Sequence, residues 1–191
     1  MIKVAFFDTK EYDKASFENH EKATDMEFKF LETKLTEDTA ELAKGCDAVC
    51  VFVNDTVNSA VIDKLYSYGV KIIALRCAGY NNVDVEHAFG KIHVVHVPAY
   101  SPYAVAEHAA ALLLTSVRRI HKAYNRTRDF NFSINGLTGF DLHGKTAGIV
   151  GTGKIGRIFI DICRGFGMNV IAYDAYPAKD SGIEYVSKDE L

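Results

Sequence analysis

Short apolar runs alternate with helical stretches along the whole chain. Five runs in the first hundred residues have the length of strands and are rich in Val, Ile and Phe, at residues 2–7, 27–31, 48–53, 70–75 and 92–97. Helical patterns lie between them, as at residues 55–68 and 84–89. Because the apolar runs are continuous rather than alternating, we expect strands that are buried on both faces of a parallel sheet. Residues 1–100 are therefore predicted to form an α/β domain.

A new helix is predicted directly after this domain. Ser101 and Pro102 are a good N-cap and first-turn pair, and the helix is expected to run over residues 103–124. It is apolar on nearly every side between residues 104 and 114, so we expect it to be buried between domains or between subunits. The cationic residues at its end are consistent with anion or nucleic-acid binding. The net charge of −3 favours instead a solvated helix end, and no nucleic-acid partner is expected.

A glycine-rich turn follows the next predicted strand, at residues 145–150. Gly151, Gly153 and Gly156 have the G-x-G-x-x-G spacing between a strand and a helix. Gly151 permits the tight turn, Gly153 leaves room for a pyrophosphate, and Gly156 allows the helix to pack closely on the sheet. The free N–H groups and the positive dipole end of the helix would bind the phosphates. The alternative interpretation is a glycine-rich packing turn. The apolar stripe of the helix is predicted at Ile155, Ile158, Phe159, Ile162 and Phe166.

An acidic residue ends the following strand, which is predicted at residues 168–174. A carboxylate at Asp174 would accept hydrogen bonds from the ribose hydroxyls of adenosine and would repel a 2′-phosphate. The next three residues include no Arg, so the pattern favours NAD over NADP. The residues after Asp174 suffice for one more short strand, at residues 183–186. The second half of a dinucleotide fold therefore has no counterpart here.

Composition excludes several classes of protein. No apolar run is long enough for a signal peptide or a membrane span, so we expect a cytoplasmic protein without membrane partners. The last four residues, Lys-Asp-Glu-Leu, match a signal for retention in the endoplasmic reticulum. We interpret the match as coincidence, since Ser187 and Glu190 fit a helix capping box. The cysteines form no C-x-x-C pair and predict packed, reduced thiols rather than a disulfide or a metal site; they are Cys46, Cys50, Cys77 and Cys163.

Four motifs together resemble the NAD-dependent D-2-hydroxyacid dehydrogenases. They lie at residues 76–84, 97–102, 105–109 and 151–156, in the family's order, and the resemblance covers the whole chain. It is strongest to the bacterial fermentative branch, which reduces pyruvate to D-lactate with NADH. The resemblance implies a flavodoxin-like parallel-sheet substrate domain over residues 1–100. It also implies an incomplete Rossmann NAD-binding domain over residues 101–191.

The resemblance also implies roles for individual residues. Backbone N–H groups of Cys77, Ala78 and Gly79 would hold the carboxylate of a small 2-keto or 2-hydroxy acid, and Tyr100, at the hinge between domains, would help to close the pocket. The implied cofactor-binding residues are Val105 against the nicotinamide ring, Gly151, Gly153 and Gly156 in the phosphate turn, Lys154 and Ile155 through N–H groups on the pyrophosphate, and Asp174 on the ribose. The helix at residues 103–124 would form much of a homodimer interface.

The family's catalytic Arg, Glu and His have no counterpart in this sequence. We expect them to lie beyond Leu191, so that the chain is an N-terminal portion with no turnover alone. Arg76 and His96 lie near the substrate turn, but we interpret Arg76 as a loop anchor and His96 as packed on its strand. Two alternatives remain, which are a dehydrogenase for a bulkier 2-hydroxy acid and a non-enzymatic, corepressor-like NAD-binding protein.

Overall fold

The computed structural model describes residues 1–21 and 24–191, which divide into two compact units, Met1–Tyr100 and Ser101–Leu191. The first unit contains one parallel five-stranded sheet in the order β2-β1-β3-β4-β5. Its strands lie within a few residues of the five predicted apolar runs. They are β1 (Ile2–Phe6), β2 (Met26–Phe30), β3 (Ala48–Val51), β4 (Ile72–Leu75) and β5 (His93–His96).

Short helices connect these strands. They are α1 (Glu11–Glu21), a 3-10 turn (Ala40–Ala43), α2 (Ser59–Ser67) and α3 (Val85–Ala88). Side-chain caps start two of them, since Asn58 accepts from the N–H of Val61 at 3.0 Å and Asp84 from that of His87 at 3.0 Å. β3 is buried at every position, as expected for an inner strand of a parallel sheet.

The strand order determines where this unit binds ligands. Strand order reverses between β1 and β3, and open α/β sheets bind ligands outside the carboxyl ends of the strands at such a switch point. Because all five strands are parallel, the loops that follow β1, β3 and β4 meet at one edge of the sheet. The predicted substrate turn is one of these loops.

The second unit has a smaller parallel sheet in the order β6-β7-β8. Its elements are α4 (Pro102–Val117), α5 (Ile120–Arg128), β6 (Thr146–Val150), α6 (Lys154–Gly165), β7 (Asn169–Tyr173) and β8 (Glu184–Tyr185). Ile149, Ile160 and Ala172 form its buried core. The strand, glycine turn, helix and second strand therefore follow one another as the sequence predicts.

The prediction of a single helix over residues 103–124 was wrong. α4 ends at Val117, and Arg119 has a left-handed backbone with φ of 55°, which starts the separate helix α5. Within α4 only Ala106, Ala110 and Val117 are buried, and Leu112 is 55% exposed. The Ser101–Leu191 unit therefore does not surround α4, and the burial of α4 between domains or between subunits stays a prediction.

The apolar stripe of α6 is also displaced from its predicted position. Ile160 and Cys163 are the buried residues of the helix, and Phe159, a predicted member of the stripe, packs against the core. Ile155 and Phe166 are 44% and 37% exposed. The reason is that α6 packs on β6, β7 and α4 together, so the buried face is set by three neighbours rather than by the sheet alone.

Three smaller predictions concern local chemistry. The Ser187 N–H donates to Glu190 Oε2 at 2.9 Å, and the Glu190 N–H donates to Ser187 Oγ at 3.3 Å, so the hydrogen bonds of the capping box are confirmed, although residues 188–190 form a turn. The four cysteines are free thiols, and burial raises the pKa of Cys50 to about 12. In the part of the chain that the structure describes, no helix has the length and apolarity needed to cross a bilayer, and no cluster of side chains suits a metal ion.

Candidate functional site

The predicted substrate residues surround one cavity of about 380 Å³ in the first unit. Cys77, Ala78 and Gly79 lie in the turn that follows β4, and Tyr100, from the same unit, also lines the cavity. The other lining residues supply mainly apolar surface and are Phe52, Val53, Arg76 and Val97. The structure thus brings together all four residues that the sequence assigns to the substrate.

The turn offers unused donors to this cavity. Among residues 1–21 and 24–191, no group accepts a hydrogen bond from the N–H of Ala78 or Gly79. The turn is held by its other atoms, because the Cys77 thiol donates to the Gly79 carbonyl at 3.2 Å and the Val97 N–H donates to the Cys77 carbonyl at 3.2 Å. Two adjacent N–H groups without a partner are able to bind an anion.

The prediction that His96 packs on its strand was wrong. Its Nδ1 lies 2.9 Å from the carbonyl oxygen of Ala78, and its ring contacts Tyr80 edge-on with centroids 5.3 Å apart. A carbonyl oxygen only accepts, so Nδ1 carries the proton. This contact also orients the N–H of Gly79, because that N–H and the Ala78 carbonyl belong to the same peptide group.

Arg76 anchors the loop that follows β1, in agreement with the prediction. Its guanidinium donates to the carbonyls of Phe7 at 3.1 Å and Asp8 at 2.8 Å, and its Nε lies 3.5 Å from Asp13 Oδ1. It also lies over the rings of Phe6 and Phe52, 4.7 Å from each centroid. Its donors are therefore directed into the protein rather than into the cavity.

Asp55, which was not identified from the sequence, fixes another wall of the cavity. Its side chain is buried and accepts from the N–H groups of Leu35 at 2.7 Å and Phe52 at 2.6 Å. Burial raises the pKa of Asp55, although these two donors oppose the shift. Asn82 holds the same loop by donating to the Phe52 carbonyl at 2.9 Å. The sequence signal that could have found this residue is an Asp shortly after a strand-length apolar run.

The glycine turn of the second unit has the predicted geometry. Gly151 has φ of 89°, which favours glycine, and a Cβ on Gly156 would collide with the carbonyl oxygen of Gly151. A Cβ on Gly153 would meet no atom within 4 Å, so the space above the turn is open. Gly153 is the N-cap of α6 and supplies no side-chain acceptor, which leaves the N–H groups of Lys154 and Ile155 for an anion.

Asp174 stands at the carboxyl end of β7, beside this turn. Its Oδ2 accepts from the N–H of Thr152 at 2.6 Å and from Thr152 Oγ1 at 2.8 Å, and its Oδ1 accepts from the N–H of Tyr176 at 2.8 Å. These donors, the Thr152 N–H first, lower the pKa of Asp174 and keep the carboxylate ionised. The carboxylate therefore supports the glycine turn, and its predicted contact with a ribose stays a prediction.

Thr152, Arg157 and Tyr185 complete the turn and were not identified from the sequence. Thr152 is 3% exposed, its carbonyl accepts from Arg157 Nε at 2.9 Å, and its Oγ1 lies 2.8 Å from the Tyr185 hydroxyl. The hydroxyl of Tyr185 also accepts from the N–H of Ala178 at 3.3 Å. Thr152 occupies a variable position of the motif, and β8 brings Tyr185 alongside β7, so only the fold reveals the contact.

A cleft of about 700 Å³ runs along the glycine turn. Val105 lines it together with the turn and the first residues of α6, so this unit brings the predicted nicotinamide contact to the phosphate turn. The open space at Gly153, the uncapped helix terminus and the ionised Asp174 match the diphosphate and ribose of a dinucleotide. These residues fit NAD.

Two family models match the chain. The model for the catalytic domain of D-isomer specific 2-hydroxyacid dehydrogenases matches residues 4–138, and the model for their NAD binding domain matches residues 110–191. The second unit thus contains part of an NAD-binding domain.

Proteins of similar sequence are named as D-lactate or 2-hydroxyacid dehydrogenases. The chain is 52% identical to a D-lactate dehydrogenase of Escherichia coli and 49% identical to a 2-hydroxyacid dehydrogenase homolog of Haemophilus influenzae, over its entire length in both cases. It spans 59% of the length of each of these relatives.

Solved structures agree with the sequence comparisons. The apo-structure of D-lactate dehydrogenase from Escherichia coli has a TM-score of 0.90 at 51% identity, over 97% of this chain and 60% of that one. D-lactate dehydrogenase from Aquifex aeolicus, complexed with NAD and lactic acid, has a TM-score of 0.80 at 31% identity, over 98% of this chain and 56% of that one. With its two-unit α/β fold, its glycine turn and both family models, the chain belongs to the D-isomer specific 2-hydroxyacid dehydrogenases.

Proposed function

We propose that the chain supplies the substrate turn and the adenosine-side half of the NAD site of a D-lactate dehydrogenase. The Met1–Tyr100 unit holds pyruvate or D-lactate, and the Ser101–Leu191 unit binds NAD. The single observation that carries this proposal is the turn at residues 77–79, whose free N–H groups line a small, largely apolar cavity. We further propose that the protein acts in the cytoplasm as a homo-oligomer that buries the exposed apolar face of α4.

The turn suits a short 2-keto acid for two physical reasons. The N–H groups of Ala78 and Gly79 match a carboxylate, which accepts hydrogen bonds from adjacent backbone donors. The walls formed by Phe52, Val97 and Tyr100 suit a methyl group better than a polar side chain. His96 holds the Ala78 carbonyl and so keeps the Gly79 donor in a fixed direction.

The residues around the cavity do not complete the chemistry by themselves. NADH supplies the hydride when it is bound, but reduction of a keto group also needs a proton donor and a cation on the carbonyl oxygen. The Arg76 guanidinium donates hydrogen bonds to the loop after β1, and the Nδ1 proton of His96 is directed to the Ala78 carbonyl. In the described part of the chain, the cavity therefore holds a carboxylate without an acid or a cation directed at a keto group.

Amide chemical shifts test the two binding sites separately. In a titration of the 15N-labelled chain, we expect pyruvate to shift the amides of Ala78 and Gly79, and ADP-ribose to shift those of Gly153, Lys154 and Ile155. Acetone is the matched control for pyruvate, because it has the keto group but no carboxylate, and should leave the turn unchanged. Equal shifts with acetone, or pyruvate shifts confined to other residues, would contradict the proposal. Stronger shifts with 2-oxoisocaproate than with pyruvate would favour the bulkier substrate.

Turnover gives a second, independent prediction. With NADH and pyruvate, the purified chain is expected to bind NADH, as followed by its fluorescence, without oxidising it at an enzyme-like rate. The reason is that Arg76 and His96, the two candidates beside the substrate turn, are engaged with backbone carbonyls. Rapid pyruvate-dependent oxidation would show that a side chain of this chain acts on the keto group as proton donor or cation. The variants Arg76→Lys and His96→Asn would then identify that side chain.

A further inference from the structure

A chain of hydrogen bonds leads from β8 to the carboxylate at the end of β7. The Ala178 N–H donates to the Tyr185 hydroxyl at 3.3 Å, this hydroxyl lies 2.8 Å from Thr152 Oγ1, and Thr152 Oγ1 lies 2.8 Å from Asp174 Oδ2. Thr152 is 3% exposed, so water has little access to its hydroxyl. The glycine turn alone does not require this arrangement.

The direction of each hydrogen bond follows from the donors available. The Asp174 carboxylate is ionised and only accepts, so the single proton of Thr152 Oγ1 points to Asp174. The Thr152 oxygen must then accept from Tyr185, whose own oxygen accepts from the Ala178 N–H. All three hydrogen bonds therefore run in the same direction, and each polarises the next.

We propose that Tyr185 is a positioning residue that sets selectivity for an adenosine ribose with a free 2′-hydroxyl, by acting through Thr152 on Asp174. This inference rests on the proposed NAD half-site. Thr152 occupies Oδ2 with two donors, its N–H and its hydroxyl, whereas within the described residues Oδ1 accepts from the N–H of Tyr176 alone. The carboxylate is thereby held in one orientation, with acceptor capacity left on Oδ1 for a ribose hydroxyl.

Removal of the Tyr185 hydroxyl should loosen this orientation without removing the charge. The buried Thr152 Oγ1 would lose the hydrogen bond that it accepts from Tyr185. The Thr152 hydroxyl would then be less firmly oriented toward Asp174. A carboxylate that can turn away binds a ribose diol less well and also repels a 2′-phosphate less. The two effects change the affinities for the two ligands in opposite directions.

The test measures the binding of ADP-ribose and of 2′-phospho-ADP-ribose to the 191-residue chain by calorimetry. For Tyr185→Phe we expect a roughly three- to tenfold higher Kd for ADP-ribose, the worth of one hydrogen bond. The Kd for the 2′-phosphorylated ligand should stay the same or fall, so that the selectivity ratio decreases by at least the same factor. Tyr124→Phe, on the exposed surface of α5, is the matched control for the loss of a tyrosine hydroxyl.

A double-mutant cycle tests whether the effect passes through Thr152. Thr152→Val should reduce the selectivity ratio at least as much as Tyr185→Phe, and the double variant should equal Thr152→Val alone. Additive effects in the cycle, or equal weakening of both ligands by Tyr185→Phe, would overturn the positioning role and leave only a structural one. If Tyr185→Phe changes neither Kd while Asp174→Asn abolishes selectivity, the inference fails and the proposed cofactor site stands. If the unsubstituted chain binds neither ligand, both are wrong.

Discussion

Replacement of Gly156 by Ala is expected to abolish measurable ADP-ribose binding and to lower the free energy of unfolding of the second unit. The new Cβ would collide with the carbonyl oxygen of Gly151, a backbone atom of the phosphate turn that cannot swing aside as a side chain can. Gly151 already has φ of 89°, so the turn has few other conformations available. Crowding of this kind costs about 1–3 kcal/mol. Calorimetry and urea denaturation measure the two effects.

Substitutions at two other glycines, one in the motif and one in α6, distinguish an effect on ADP-ribose binding from an effect on stability. Gly153→Ala places a Cβ in open space, so we expect normal stability but loss of ADP-ribose binding, because the methyl group would occupy the approach of the pyrophosphate. Gly165→Ala, at the last position of α6, meets no atom within 4 Å and should leave binding unchanged. Normal ADP-ribose affinity in the Gly156→Ala variant would refute the proposed role of the close contact.

Replacement of Arg76 by Met is expected to destabilise the first unit by about 3–5 kcal/mol, the usual effect of removing one partner of a buried ion pair. The substitution would leave Asp13, whose side chain is 7% exposed, with a less compensated charge. It would also leave the carbonyls of Phe7 and Asp8 without their guanidinium donors. Urea denaturation followed by circular dichroism measures the loss.

Arg76→Lys provides the matched control for charge. Lys keeps the positive charge near Asp13 but lacks the planar fork that reaches two carbonyls and stacks between Phe6 and Phe52. An intermediate loss of stability would show that geometry and charge both contribute. A loss below about 1 kcal/mol for Arg76→Met would mean that the ion pair and the two backbone contacts add little, as exposed pairs do.

Local patterns predicted the start of α4 and the glycine turn correctly because those features depend on neighbours in sequence. Ser101 caps α4 by accepting from the N–H of Ala104 at 3.3 Å, as its position before Pro102 indicates. The spacing of the three glycines likewise corresponds to a turn whose constraints lie within six residues. In such cases the chemistry of one short segment determines its conformation.

Predictions that depended on distant neighbours were less accurate. A stripe at helical spacing predicted the buried face of α6, but packing on β6, β7 and α4 moved that face to Ile160 and Cys163. The break between α4 and α5 at Arg119 was missed, because an Arg in a left-handed conformation has no sequence signal of its own. His96 contacts a carbonyl 18 residues away, which the register of two parallel strands decides.

The amino-acid sequence by itself determined the two α/β units, the order of their strands along the chain, the glycine turn and the acidic residue after β7. These features follow from hydrophobic periodicity and from residue types with special backbone or charge properties, and both can be recognised in a short segment. Only the tertiary structure decided that Arg76 is held by the loop after β1, that Asp55 fixes the cavity wall, and that Tyr185 reaches Asp174 through Thr152. The contacts of Arg76 and Tyr185 join residues that are far apart in sequence, and they form because parallel strands bring their carboxyl ends to one edge of a sheet. Asp55 holds Phe52, three residues away, but it also accepts from the N–H of Leu35, 20 residues away, which only the fold reveals.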